Sequence, residues 1–218
     1  MAVTLEGVGK TYGGVRALVN VTASFSAGVV NIVEGPNGSG KTTLLAIVGT
    51  LVRPTVGRVS HGDLGATQVE VRQTLGWAGH DSLCYPDLSG RENVELAAEL
   101  HGVDPGAAFA RAAERFKLGA FVERAFRTYS RGQRQRVSLA RALVHEPKLV
   151  LLDEPSTGLD KDGMHLLRGV VEAEASRGAI VIVITHDVGF IEGLAGKRLK
   201  MDRGRLVDDG SVSDETTQ

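Results

Sequence analysis

Cysteine is nearly missing from this 218-residue chain, where Cys84 stands alone. A single thiol excludes an internal disulfide and the multi-cysteine zinc patterns, so Cys84 reads as a small packing residue in a reducing compartment. Long apolar runs are missing too. The strongest, residues 148–152 and 180–184, fall far short of the roughly 18 residues that a membrane-spanning helix needs. The first ten residues lack the basic start and continuous apolar stretch of an export signal, and the chain reads as cytoplasmic. Charge of one sign is also scarce. With 25 basic and 26 acidic residues the formal charge is -1, which leaves no whole-molecule field to attract nucleic acid or an anionic membrane. What the chain does have is a 42% hydrophobic content, enough for a packed globular core.

Short β-branched runs at residues 3–5, 15–18, 21–25 and 29–33 read as strands, the early ones antiparallel. The last of them ends in a glycine loop followed by apolar residues at helical spacing over 41–51, which predicts strand, loop, helix. Between 92 and 146 the composition turns to Ala, Leu, Glu and Arg, with helices expected at 92–101, 106–116 and 132–145. Unalternating apolar runs at 149–152 and 179–185 read as strands buried on both faces of a parallel sheet. Residues 198–209 read as strand, Asp202-Arg203-Gly204 turn, strand. The fold class is therefore α/β. Residues 1–80 and 147–210 are expected to form the core of one domain, 81–146 a helical part and 211–218 a loose polar tail.

Gly35-Pro36-Asn37-Gly38-Ser39-Gly40-Lys41-Thr42 fits the P-loop pattern G-x-x-x-x-G-K-[ST]. Glycines let backbone N–H groups converge on phosphate oxygens, and the following helix places its positive end there. Lys41 is expected to reach the β and γ phosphates, and Thr42 to offer a hydroxyl to Mg²⁺. A plain glycine turn would explain the glycines but not the strand and helix that flank them. Downstream, the apolar run 148–152 delivers Asp153 and Glu154 to the carboxyl edge of the sheet, where open α/β folds bind ligands. Alone, such a pair reads as a helix N-cap and first-turn acid. After a P-loop it reads as a division of labour, with Asp153 holding the Mg²⁺ shell and Glu154 orienting and deprotonating water.

Tyr129-Ser130-Arg131-Gly132-Gln133, running on into residues 134–143 just before the second acidic element, resembles the signature motif of ABC ATPases. Ser156-Thr157-Gly158-Leu159-Asp160 looks like that family's D-loop, His186 like its switch histidine, and Tyr12 like its adenine-stacking aromatic. The alternatives are a core tyrosine for Tyr12 and a structural histidine for His186. The resemblance runs from Val3 to about Gly210. It implies a P-loop NTPase (RecA-like) core with a mostly parallel sheet, an N-terminal antiparallel β subdomain and an α-helical signature subdomain.

It further implies ATP and Mg²⁺ as cofactors, with Glu154, His186 and Lys41 catalytic and Thr42 and Asp153 at the metal. Nucleotide contacts would come from Tyr12, Gly35, Pro36, Asn37, Gly38, Ser39, Gly40, Lys41, Thr42, Thr43 and Asp160, and from Ser130, Gly132 and Gln133 of a second cassette. That cassette would complete a homodimer, or a heterodimer with another ABC ATPase. Six arginines between Arg124 and Arg141, with no acid among them, read as a solvated face, a nucleic-acid patch or charge facing phosphate across the dimer. The run coincides with the signature-like motif, which favours the last, and the balanced overall charge argues against a broad nucleic-acid footprint, so no nucleic-acid partner is expected.

Two positions depart from the family pattern. His80 stands where relatives carry glutamine, and imidazole is a poor ligand for Mg²⁺. A water-mediated role with pH-dependent coupling is the expectation for His80, to be flattened by His80→Gln. Arg131 stands where relatives carry the first of two glycines. Residues 85–94 resemble the region that contacts a membrane subunit, which implies a separate transmembrane permease partner and a peripheral place on the inner face of the cell membrane. The other function in view is a soluble ABC ATPase of DNA repair or translation, whose relatives carry coiled-coil insertions or paired cassettes. Among transporters, the compact length and the Gly79-His80 pair resemble the haem exporter ATPase of cytochrome c maturation, with ABC-2 type exporters close behind and importers further off.

Overall fold

The computed structural model describes residues 1–79 and 81–208. The expectations for His80 and for the polar tail lie outside the described residues. In chain order the elements are β1 (Ala2–Tyr12), β2 (Val15–Ser26), β3 (Val30–Glu34), α1 (Lys41–Val48), β4 (Val56–Ser60), α2 (Gln68–Gln73), β5 (Leu75–Ala78), α3 (Gly90–Leu100), α4 (Pro105–Arg115), α5 (Arg131–Leu143), β6 (Leu149–Asp153), α6 (Lys161–Ser176), β7 (Ile180–Ile184), α7 (Val188–Ile191), β8 (Gly196–Asp202) and β9 (Arg205–Asp208).

Six strands form the central sheet in the order β5-β6-β7-β3-β8-β9, parallel except for the terminal β8–β9 hairpin. Its inner strands are buried on both faces, which is why they show no polar alternation in sequence. Alternate residues feed two cores. Val150, Leu152, Val181 and Val183 face the helices α3 to α6, while Leu149, Leu151, Ile180 and Ile182 face α1 and the second sheet. That second sheet is antiparallel, in the order β2-β1-β4.

Two boundary expectations need correction. The runs 15–18 and 21–25 are one strand, β2. No turn separates them, because the irregularity is absorbed as register shifts against β1 and a left-handed Asn20 at φ 53°. The helix after the glycine loop ends at Val48 rather than Leu51, since Gly49 caps it and Thr50 takes φ 61°.

Candidate nucleotide-binding site

Parallel register assembles the site. β6, β7 and β3 are neighbours, with Asp153 opposite Ile184 and Ile184 opposite Val33, so their carboxyl ends lie on one edge. From that edge leave the glycine loop after Glu34, the Asp153-Glu154 pair, and Thr185-His186. Two backbone bonds stitch them together: Glu154 N–H donates to the Ile184 carbonyl at 2.8 Å and Thr185 N–H to the Val33 carbonyl at 3.4 Å.

The loop is shaped by close packing. A Cβ on Gly35 would lie 2.2 Å from the Met201 carbonyl oxygen, and one on Gly40 would lie 2.5 Å from that of Ala17. Both glycines also hold left-handed φ, 149° and 100°, so no other residue fits there without strain. Lys41, almost fully buried, folds its ammonium back onto the loop, donating to the carbonyls of Gly35 at 2.7 Å and Pro36 at 3.1 Å. These use two of its three donors. Thr42 is exposed and Thr43 half-buried at the start of α1, whose first turn carries no acidic residue to compete with an anion. Ser39 is buried and its hydroxyl has no partner.

Glu154 stands at φ 52°, a left-handed backbone that a non-glycine residue rarely adopts. One of its carboxylate oxygens meets His186 Nδ1 at 2.8 Å; the other, Oε2, is buried without a hydrogen-bond partner. Asp153 closes β6 beside it. Asp160 caps α6, accepting from Gly163 N–H at 2.8 Å. Tyr12 closes β1, 46% exposed and with the Lys10 ammonium 4.9 Å from its ring centroid, which rules out the core reading. It pairs with Val15, two residues before the Ala17 that touches Gly40, so its hairpin borders the loop.

Ser130, Gly132 and Gln133 stand at the start of α5. Ser130 and Gln133 form a capping box on α5, Ser130 Oγ accepting from Gln133 N–H at 3.3 Å and Gln133 Oε1 from Ser130 N–H at 3.1 Å. Gly132 follows in the first turn with nothing near its Cα that a side chain would meet. Among the described residues no hydrogen bond joins these three to the P-loop. Of the six arginines, Arg127 pairs with Asp87 at 3.1 Å and Arg134 donates to the Arg127 carbonyl at 2.7 Å. Cys84 is partly buried, and burial pushes its thiol above the usual range, as a packing residue requires.

Sequence reasoning missed the buttress of the loop. Gly204 N–H donates to the Ser39 carbonyl at 2.9 Å, while Val19 N–H donates to the Gly204 carbonyl at 2.8 Å. The turn at 202–204 was legible, but its partner in the glycine loop is remote in sequence.

The sequence profile of the ABC transporter family matches residues 18–157. The daunorubicin resistance ATP-binding protein of Streptomyces coeruleorubidus is 36% identical over 218 residues, covering 98% of this chain and 69% of its own length. The daunorubicin/doxorubicin resistance ATP-binding protein of Streptomyces peucetius is 33% identical, covering 98% and 66%. The glutamine transport ATP-binding protein of Escherichia coli is 32% identical, covering 96% and 91%. Among solved structures, an ATP-binding cassette in a dimeric post-hydrolysis state bound to ADP and Pi superposes with a TM-score of 0.83 at 29% identity, over 94% of this chain and 97% of that one. Glycine loop, acidic edge and histidine thus stand in a fold and a sequence shared with these proteins, and the chain belongs to the ABC transporter family as one of its ATP-hydrolysing, ATP-binding cassettes.

Proposed function

We propose that this cassette clamps ATP between two copies and uses its hydrolysis to drive a separate transmembrane subunit. The observation that carries the catalytic half is the Glu154–His186 contact at the same sheet edge as the P-loop. Its unpartnered polar atoms fit a bound polyanion and its water: the Ser39 hydroxyl and Lys41's remaining donor on the phosphate side, and Glu154 Oε2 as acceptor for the attacking water.

Residues 35–43 hold the phosphates, Tyr12 stacks on the base, and Thr42 and Asp153 are the groups suited to Mg²⁺. When bound, Mg²⁺ neutralises phosphate charge. Glu154 takes the proton from water, and His186 orients the carboxylate. Ser130, Gly132 and Gln133 of the second copy offer the N-terminus of α5 to the terminal phosphate, with Asp160 fixing the adjoining loop. Dimeric cassettes among the structural neighbours support this arrangement: one, 30% identical with a TM-score of 0.82, is a bacterial ABC transporter cassette solved as a dimer.

A groove of about 350 Å³ lined by Trp77, Leu83, Tyr85, Leu100, His101 and His145 supports the transport half. Three of these, Leu83, Tyr85 and Leu100, are exposed apolar side chains, the signature of a surface awaiting a partner. Leu83 also lines the cavity that holds Glu154, so the groove backs onto the catalytic side. No helix among the described residues is long and apolar enough to cross a membrane; in this reading residues 81–146 are the helical subdomain that meets the spanning part.

Export is the direction that the drug-resistance relatives favour, although a molybdenum import ATP-binding protein of Mycobacterium tuberculosis is 36% identical as well. The narrower expectation of haem export draws no support from these three. The test is fractionation: the chain in washed membranes should rise with its membrane subunit and fall with Leu100→Glu, whose ATP binding stays intact. Membrane content indifferent to both would defeat the transport reading.

A further inference from the structure

Arg131 opens α5 as its first helical residue, a place where a cation works against the helix dipole and an acid would be favoured. Its side chain does not compensate by pairing, because among the described residues no carboxylate or carbonyl meets its guanidinium in a hydrogen bond or ion pair. Instead it lies across Gly158. A Cβ built on Gly158 would come within 2.2 Å of Arg131 Nε, 2.3 Å of Cδ and 2.6 Å of Cζ. Gly158 also holds φ 78°, so a bare, left-handed residue receives the flat guanidinium and its stem.

One helical turn further on, Gln135 Nε2 donates to the Pro155 carbonyl at 2.9 Å. Positions four apart share a helix face, so α5 grips the same loop at two points. The loop itself is stiff. Thr157 N–H donates to the Glu154 carbonyl at 3.2 Å and Leu159 N–H to that of Ser156 at 3.1 Å, before Asp160 starts α6. Arg131, Gln135, Thr157 and Glu154 line one cavity of about 780 Å³.

We propose that Arg131 is a positioning residue: laid over Gly158, it locks the loop of residues 155–158 to the first turn of α5, so that the signature end of the helix and the carboxylate of Glu154 keep one fixed relation. This rests on the reading of Glu154 as the base for water. The link lies within one chain and works by shape. Removing it leaves the P-loop and the sheet-held backbone of Glu154 in place but frees the loop that follows, and with it the setting of the carboxylate, where a misplacement of about 1 Å can cost roughly a hundredfold in rate.

The test is steady-state ATPase kinetics and thermal melting of the full chain in five variants. Arg131→Gly should lower kcat by about tenfold or more, with KM for ATP within about twofold and the melting temperature unchanged. Arg131→Met, which keeps an unbranched stem over Gly158 and drops the charge, should recover most of kcat. Gln135→Ala, at the second grip, should also lower kcat without moving KM. Gly158→Ala should lower kcat, and the double variant Arg131→Gly/Gly158→Ala should be no worse than the poorer single variant, since both break one contact.

The proposal is overturned by Arg131→Gly at wild-type turnover, by Arg131→Met as slow as Arg131→Gly, or by a rise in KM at unchanged kcat. The last two would make Arg131 a charge acting on nucleotide. Glu154→Gln, measured alongside, separates the two readings: wild-type turnover there would remove Glu154 as base whatever Arg131 does.

Discussion

In the proposed function Glu154 concentrates the chemistry of this chain in one side chain and one backbone angle. Its left-handed φ of 52° is held by the bond from its N–H to Ile184 and by the neighbouring strand, so the strain is maintained by the sheet. One carboxylate oxygen meets His186, the other is buried without a partner, and the residue lines the cavity of about 780 Å³. Glu154→Gln should therefore lower kcat by about 10² to 10⁴ while KM for ATP changes little, because the amide keeps the shape and loses the base. A fall confined to KM would assign Glu154 to binding instead. The residues that the structure gathers at one sheet edge were legible as candidates, since a P-loop, an acidic pair after an apolar strand and a histidine after the next strand are local patterns. The pairing of Arg131 with Gly158, and of Ser39 with Gly204, was not. Each needs two segments distant in sequence to be brought together, and no local pattern marks it.

At the scale of elements, α3 and α5 meet at a stacked pair of histidines, His101 and His145, with ring centroids 3.6 Å apart and planes 5° from parallel. Burial, aided by the neighbouring His101 and by Arg177 and Arg141, pushes His145 from 6.5 down to about 4. Burial also lowers His101. Below pH 6.5 the unfolded chain takes up a proton at His145 that the folded chain refuses until about pH 4. Stability is thus whole above pH 6.5 and drains as pH falls toward 4, by up to about 3 kcal/mol for this residue. Urea midpoints measured from pH 7.5 to 4.5 should fall less steeply in His145→Phe, which keeps a ring in the stack. Equal slopes in both proteins would show that His145 does not refuse its proton.

Helices α3, α4 and α5 were legible because their apolar spacing is regular and their caps are ordinary, Ser89 with Glu92, Asp104 before Pro105, and Ser130 with Gln133. α6 is a longer helix with a weaker signature. Gly163 and Gly169 lie inside it and Val170-Val171 are β-branched, all weak helix formers, so it is specified by the Asp160 cap and by packing of Leu167, Val170 and Val171 on the sheet.

At the scale of the whole molecule, the two cores on opposite faces of the central sheet fix the strand ends, and the strand ends fix the site. The α/β class followed from unalternating apolar runs. The strand order did not, because parallel pairing depends on crossovers that span most of the chain. Within one copy Ser130 and Gln133 cap their own helix, while their neighbours Arg131 and Gln135 on α5 contact residues 155–158, and among the described residues no hydrogen bond joins Ser130, Gly132 or Gln133 to the P-loop. In the proposed arrangement a second copy supplies these residues to the P-loop, and the proposal stands or falls on that. The most direct measurement is sedimentation velocity of Glu154→Gln at high protein concentration, with ATP and Mg²⁺ and again without nucleotide. A dimer that forms only with ATP and Mg²⁺ is the predicted result, and a strictly monomeric protein under both conditions would contradict it.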